Sequence, residues 1–226
     1  MKWRPLVIWL IIGVTALTIR LYRLDAQSLW LDEGNSWAMA MQPWGILFRD
    51  LLQPSAAYPL YHILLKGWMC VAGMSEWALR FPSALAGTLS VAFVALAART
   101  AAGTSPRREG ITIAALVIST LSPFAIWYAQ EAKVYALVLA VSAAMIWLTL
   151  WAVQADHSQA WFWLIGLALI ALFIHRLTAL LSLSIALIWL FSRPRRYRFA
   201  LAAGLLATGI GMIAAMAAGV GSDRAA

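Results

Sequence analysis

Charge is scarce in this chain. Only 12% of its 226 residues are Asp, Glu, Lys or Arg, where soluble domains carry about a quarter. Cys70 is the single cysteine, so an intrachain disulfide is excluded. There is no glycine-rich phosphate loop, no metal-type Cys/His cluster and no nucleophile elbow. No internal repeat or low-complexity tract stands out.

Apolar residues fill the space instead. They make up 63% of the chain, and mean hydropathy is +0.81. Apolar runs of about 18 residues recur, the signature of a polytopic helical membrane protein, and a soluble globular domain is set aside. The expected fold is all-α, a bundle of transmembrane helices. Seven spans are expected: Pro5–Tyr22, Ser83–Ala101, Ile111–Trp127, Val134–Val153, Trp161–Ile174, Leu177–Phe191 and Phe199–Val220. The N-terminal run has a basic start and an apolar core but no small-x-small cleavage site. It reads as an uncleaved first span.

Bases outnumber acids, 17 to 9, for a net charge of +8. Their placement does not point to nucleic acid. Arg107 and Arg108 form one cluster between apolar runs, and Arg193, Arg195, Arg196 and Arg198 another. Basic clusters in short loops orient a membrane protein by staying on the cytoplasmic side. An inner N-terminus satisfies both clusters, and the stretch Arg23–Arg80 then becomes one long outer loop.

That loop carries helical signals. Gly34–Met41 reads as a helix, Pro43 opens a second short one, and Tyr58–Val71 forms a third that ends near Gly73. These segments are expected along the membrane surface. Ser75 caps a further short helix that runs into Pro82.

The polar groups that remain gather at this outer level. "SLWLDEGNSW" (Ser28–Trp37) sets Asp32 and Glu33 among tryptophans and leucines. Such an acid pair is a solvated helix start, or it has a functional role. A carboxylate there suits a general base for an acceptor hydroxyl. His62 and Lys66 lie four apart on one helix face, either an ordinary polar face or a contact for an anionic substrate. Glu76 and Arg80 have the same spacing, which suits a surface ion pair; Arg80 alternatively grips a phosphate with its guanidinium fork. "WYAQEAKVYAL" (Trp127–Leu137) sets Glu131 and Lys133 in an aromatic cluster. His175 and Arg176 interrupt the last long apolar stretch at the same level. Acids that activate a hydroxyl beside bases that hold a phosphate suit group transfer from a lipid phosphate. A transporter would place ionisable groups near the bilayer midplane, whereas these lie at span ends.

The ordered segments "SLWLDEGNSW", "YPLYHILLKGW", "SEWALRFPSALAG" and "SPFAIWYAQEAKVYAL", with "LFIHRLTALLSL" beyond them, resemble those of bacterial family-39-type glycosyltransferases. These are the relatives of protein O-mannosyltransferases and of the lipid A aminoarabinose transferase, within the C-type superfamily. The resemblance implies a polyprenyl-phosphate sugar donor and a lipid, glycan or protein acceptor outside the cytoplasmic membrane. It implies inversion at the anomeric carbon. No cofactor is expected, and a divalent metal is not demanded, since Asp32 and Glu33 alone make a poor site for a hard cation. The resemblance makes Asp32 and Glu33 the catalytic pair. It matches Arg80 to a basic position that meets the lipid phosphate and Lys133 to a basic residue of its segment, and Glu131, His62, Lys66, Tyr61 and His175 join the expected substrate-binding set on their outer-level placement. Relatives read His-Pro-Pro-Leu-Tyr where this chain has Ala57–Tyr61, and Thr-His-Tyr where it has Ile174-His175-Arg176. They are about twice as long. Residues 1–226 are therefore expected to form the N-terminal part of such a membrane domain. The runner-up is a truncated relative acting as a non-catalytic scaffold.

Overall fold

The computed structural model describes residues 4–51, 53, 56, 58–155, 158–191, 206, 209 and 210. Among them all regular structure is helical: α1 (Arg4–Leu21), α2 (Leu31–Met41), α3 (Trp44–Asp50), α4 (Pro59–Ala72), α5 (Glu76–Ala101), α6 (Arg108–Leu121), α7 (Pro123–Ala129), α8 (Tyr135–Ala155), α9 (Ser158–Ile174) and α10 (Thr178–Phe191).

α5 is the central helix. It packs most extensively against α8, and α6, α1, α7 and α4 also lie on it. The α5–α8 seam is built from small side chains. Ala84 and Ala86 of α5, and Ala136, Ala140 and Ala144 of α8, are all buried. Small residues let helix backbones approach closely where no water drives them together. Gly87 faces α7 and α1 rather than α8, and its surroundings are tight. A Cβ there would lie 2.5 Å from the Ala129 Cβ and 3.1 Å from the Arg20 Nε. Gly87→Ala is therefore expected to cost about 1–3 kcal/mol through overpacking. Thermal unfolding in detergent checks this, and an unchanged midpoint would refute it.

Two helices, Glu76–Ala101 and Tyr135–Gln154, are long and apolar enough to cross a membrane. The pair α6–α7 qualifies as a third only as a bent unit. The apolar segments Leu6–Leu21, Gln159–Ile174 and Thr178–Leu187 are shorter than a full span. The expected seventh span, 199–220, lies outside the described residues except for positions 206, 209 and 210.

Two prolines correct the expected boundaries. The helix begun by Ser75, whose Oγ accepts from the Ala78 N–H at 3.2 Å, does not stop at Pro82. It runs on as the first two turns of α5. Pro82 has no N–H to offer the Ala78 carbonyl, and the Trp68 indole N–H takes that carbonyl at 2.8 Å. Conversely, the expected third span is not one helix. It breaks at Ser122–Pro123 with a 55° bend, and Ser122 Oγ caps α7 through the Ala125 N–H at 3.3 Å. The Ser119 carbonyl, which Pro123 cannot satisfy, accepts from Arg20 Nη2 at 3.3 Å. Arg20 Nη1 also donates to the Ala16 carbonyl at 3.1 Å.

Within 23–80 the described residues include the three short helices expected before Ser75, namely α2, α3 and α4. α2 and α3 pack on α4, and α4 joins them to α5 and α9. Pro43 immediately precedes α3, and Gly73 ends α4 with φ +81°.

Candidate active site

Asp32 and Glu33 are the second and third residues of α2. Successive helix positions point about 100° apart, so the two acids enter different surroundings. Glu33 is completely buried. Its Oε1 accepts from Arg80 Nε at 2.8 Å and from the Ala132 N–H at 2.7 Å. Its Oε2 accepts from Arg80 Nη2 at 2.6 Å and from the Trp30 N–H at 3.3 Å. Burial alone would raise this carboxyl. The Arg80 hydrogen bonds, the Ala132 and Trp30 amides and the Arg80 charge outweigh it and hold the group below its usual range. Glu33 is thus a permanent carboxylate that ties α2, α5 and the α7–α8 connection together.

Arg80 is saturated in turn. Nη1 donates to the Leu24 and Gln27 carbonyls at 2.9 and 2.8 Å, and Nη2 to the Ser28 carbonyl at 3.2 Å. With the two bonds to Glu33, all five guanidinium donors are engaged. Neither a surface pair with Glu76 nor a free phosphate grip describes it. Arg80 gathers the 24–28 turn around Glu33.

Asp32 differs. Its side chain is 42% exposed, and its Oδ2 stands 3.8 Å from the Lys133 Nζ, whose side chain is 9% exposed. Asp32 lines a cleft of about 770 Å³ together with Glu33, Arg80, Glu131, Tyr135, Trp30, Trp127, Tyr128, Gln130 and the turn 22–28. The Glu131 Oε2 is buried there and has no hydrogen-bond partner among the described residues. Burial raises this carboxyl; the Trp127 side chain and the Lys133 charge oppose the rise, and the Glu33 and Asp32 charges add to it.

The other expected residues divide. His62 and Tyr61 are buried and are not among the residues that line the cleft. The His62 ring lies between those of Tyr58 and Tyr61, with centroids 6.1 and 5.7 Å away. His175 adjoins Tyr58 at 5.1 Å, and its Nδ1 accepts from the Leu177 N–H at 3.1 Å. Lys66 is not part of the cleft. Its Nζ donates to the Ala40 carbonyl at 3.2 Å, closing the C-terminal end of α2, and sits 5.3 Å above the Trp44 ring. Its spacing to His62 is helical geometry without shared chemistry. The residue that spacing did not single out is Arg23, which lines the cleft. The sequence marks it only as the start of a loop.

Burial, then the Lys133 charge, pushes the His62 imidazole down to about 4, against a smaller opposing pull from Asp50. The folded value lies below the unfolded one of 6.5. Stability from this group is therefore complete above pH 6.5 and is lost as pH falls through 4. The loss is up to about 3 kcal/mol. Unfolding midpoints should drop across that window, and His62→Gln should flatten the drop. A wild-type profile level between pH 6.5 and 4 would refute this.

Sequence comparison now adds a family. The family described as dolichyl-phosphate-mannose-protein mannosyltransferase matches residues 53–219. The chain belongs to that family. No curated protein and no solved structure matches it. The mannosyltransferase-family region contains His62, Arg80, Glu131, Lys133 and His175, and it begins after Asp32 and Glu33. Membership makes the chain a membrane glycosyltransferase of the C type, a class that uses lipid-linked sugar donors.

Proposed function

We propose that this chain transfers a sugar from a polyprenyl-phosphate donor to an acceptor hydroxyl, with Asp32 as the base. The observation that carries the proposal is the contrast between the two neighbouring acids. One is locked into the frame; the other stands open on the cleft beside a lysine. In the reaction the acceptor oxygen attacks the anomeric carbon from the face opposite the phosphate. The bond from that carbon to the phosphate oxygen breaks, and the phosphate leaves with the electron pair. The acceptor proton passes to Asp32, and the anomeric configuration inverts.

Lys133, 3.8 Å from Asp32, sets a positive charge beside the base. Glu131 supplies a hydrogen-bonding group at the cleft wall for the sugar. Glu33 and Arg80 act as positioning residues, since their polar atoms are already engaged by protein groups. The basic clusters at 107–108 and 193–198 support an inner N-terminus and a cleft that opens outward from the cell membrane. The acceptor is a lipid, glycan or protein that reaches this outer level.

Membranes containing the chain, supplied with radiolabelled polyprenyl-phosphate sugars, test the proposal. Transfer that disappears in Asp32→Asn supports it. Transfer that persists in Asp32→Asn removes the base assignment. A folded chain without transfer from any such donor favours a non-catalytic scaffold.

A further inference from the structure

We propose that Arg23 is the residue that receives the phosphate oxygens of the ligand in this cleft. The inference rests on the lipid-phosphate reading for its source of phosphate, but its grounds are geometric. Among the described residues lining the cleft, the cations are Arg23 and Arg80. Every donor of Arg80 is occupied by Glu33 and by three carbonyls. The Arg23 side chain is exposed and makes no hydrogen bond or ion pair within the described residues. A free guanidinium fork matches two phosphate oxygens at once.

The backbone points the same way. Arg23 has φ +52°, in the left-handed region, where a glycine would sit without steric conflict. The turn is imposed from both sides. The Tyr22 carbonyl accepts from Gln130 Nε2 at 3.0 Å. Leu24 is 2% exposed, and its carbonyl accepts from Arg80 at 2.9 Å. Between these anchors the chain reverses, Leu24 goes into the core, and residue 23 is left on the cleft. Nothing in the fold requires a long cationic side chain at that point. Outliers of this kind concentrate at ligand-binding positions.

The test is a binding measurement on the full chain in neutral detergent, read by tryptophan fluorescence, since Trp30 and Trp127 line the cleft. The probes are farnesyl phosphate, inorganic phosphate and farnesol. Wild type should bind farnesyl phosphate more tightly than farnesol. Arg23→Gly should weaken farnesyl phosphate binding by roughly tenfold or more, with an unfolding temperature equal to or above wild type. Arg23→Lys should fall between.

Farnesyl phosphate binding that is unchanged in Arg23→Gly overturns the assignment and leaves the lipid-phosphate reading intact. Arg23-dependent binding of inorganic phosphate as tight as that of farnesyl phosphate keeps Arg23 as the anion site and overturns the lipid source. No phosphate binding by folded wild type overturns the assignment outright.

Discussion

Asp32→Asn is expected to reduce sugar transfer by about 10²–10⁴-fold, the usual contribution of a positioned general base. The fold should survive. The Asp32 side chain is 42% exposed, and its nearest cation, Lys133, lies at 3.8 Å, beyond hydrogen-bonding range. Removing an exposed charge with so loose a partner costs at most about 1 kcal/mol. Asparagine keeps the shape of the side chain and loses only its ability to take a proton. The informative result is the combination of initial rates near background with an unchanged unfolding midpoint. Rates within a fewfold of wild type would mean that another group accepts the proton. A large fall in the midpoint would make Asp32 a structural residue.

Breaking the neighbouring contact should give the opposite pattern. Glu33→Gln or Arg80→Ala is expected to cost about 3–5 kcal/mol, because each leaves a buried, uncompensated partner. Glu33→Gln strands the Arg80 guanidinium. Arg80→Ala strands the Glu33 carboxylate and frees the carbonyls of Leu24, Gln27 and Ser28. At about 2–4 °C per kcal/mol for a chain of this size, the midpoint in detergent should fall by roughly 10 °C. Arg80→Lys should fall nearly as far, since an ammonium cannot reproduce five planar donors. A midpoint within a degree or two of wild type in these variants would show that the pair does not hold the cleft. Any loss of transfer in Glu33→Gln should follow the loss of folded protein, unlike that in Asp32→Asn.

Local signals in the sequence carried the helical class and most of the outer loop. Pro43, Gly73 and Ser75 stand where a helix begins or ends, and each does so through its own backbone or side chain. What was not legible depends on distant partners. Pro82 and Pro123 each remove one backbone hydrogen bond, yet α5 continues through the first and the α6–α7 unit bends at the second. Trp68 rescues the first site, and no pattern of spacing announces that contact. Likewise, Arg80 had an obvious neighbour in Glu76 four residues away, but it pairs with Glu33, 47 residues away. For Lys66, helical spacing to His62 leaves open a polar face or a substrate contact, and the spacing gives no hint that its ammonium reaches the Ala40 carbonyl at the end of α2. Asp32 and Glu33 were legible as a pair, whereas the division of labour between them follows from where α2 is docked.

The amide contact between Ala132 and Glu33 also bears on how the protein is made. The two residues are 99 positions apart, and synthesis proceeds at about 5–20 residues per second. Some 5–20 s therefore separate their emergence from the ribosome. Throughout that interval α2 and α5 can meet through Arg80, while the carboxylate still waits for its last donor. The segment that finally supplies it also brings Glu131 and Lys133. The Arg80–Glu33 frame is thus laid down first, and the groups that stand beside Asp32 and Glu33 arrive together in one late step of biosynthesis.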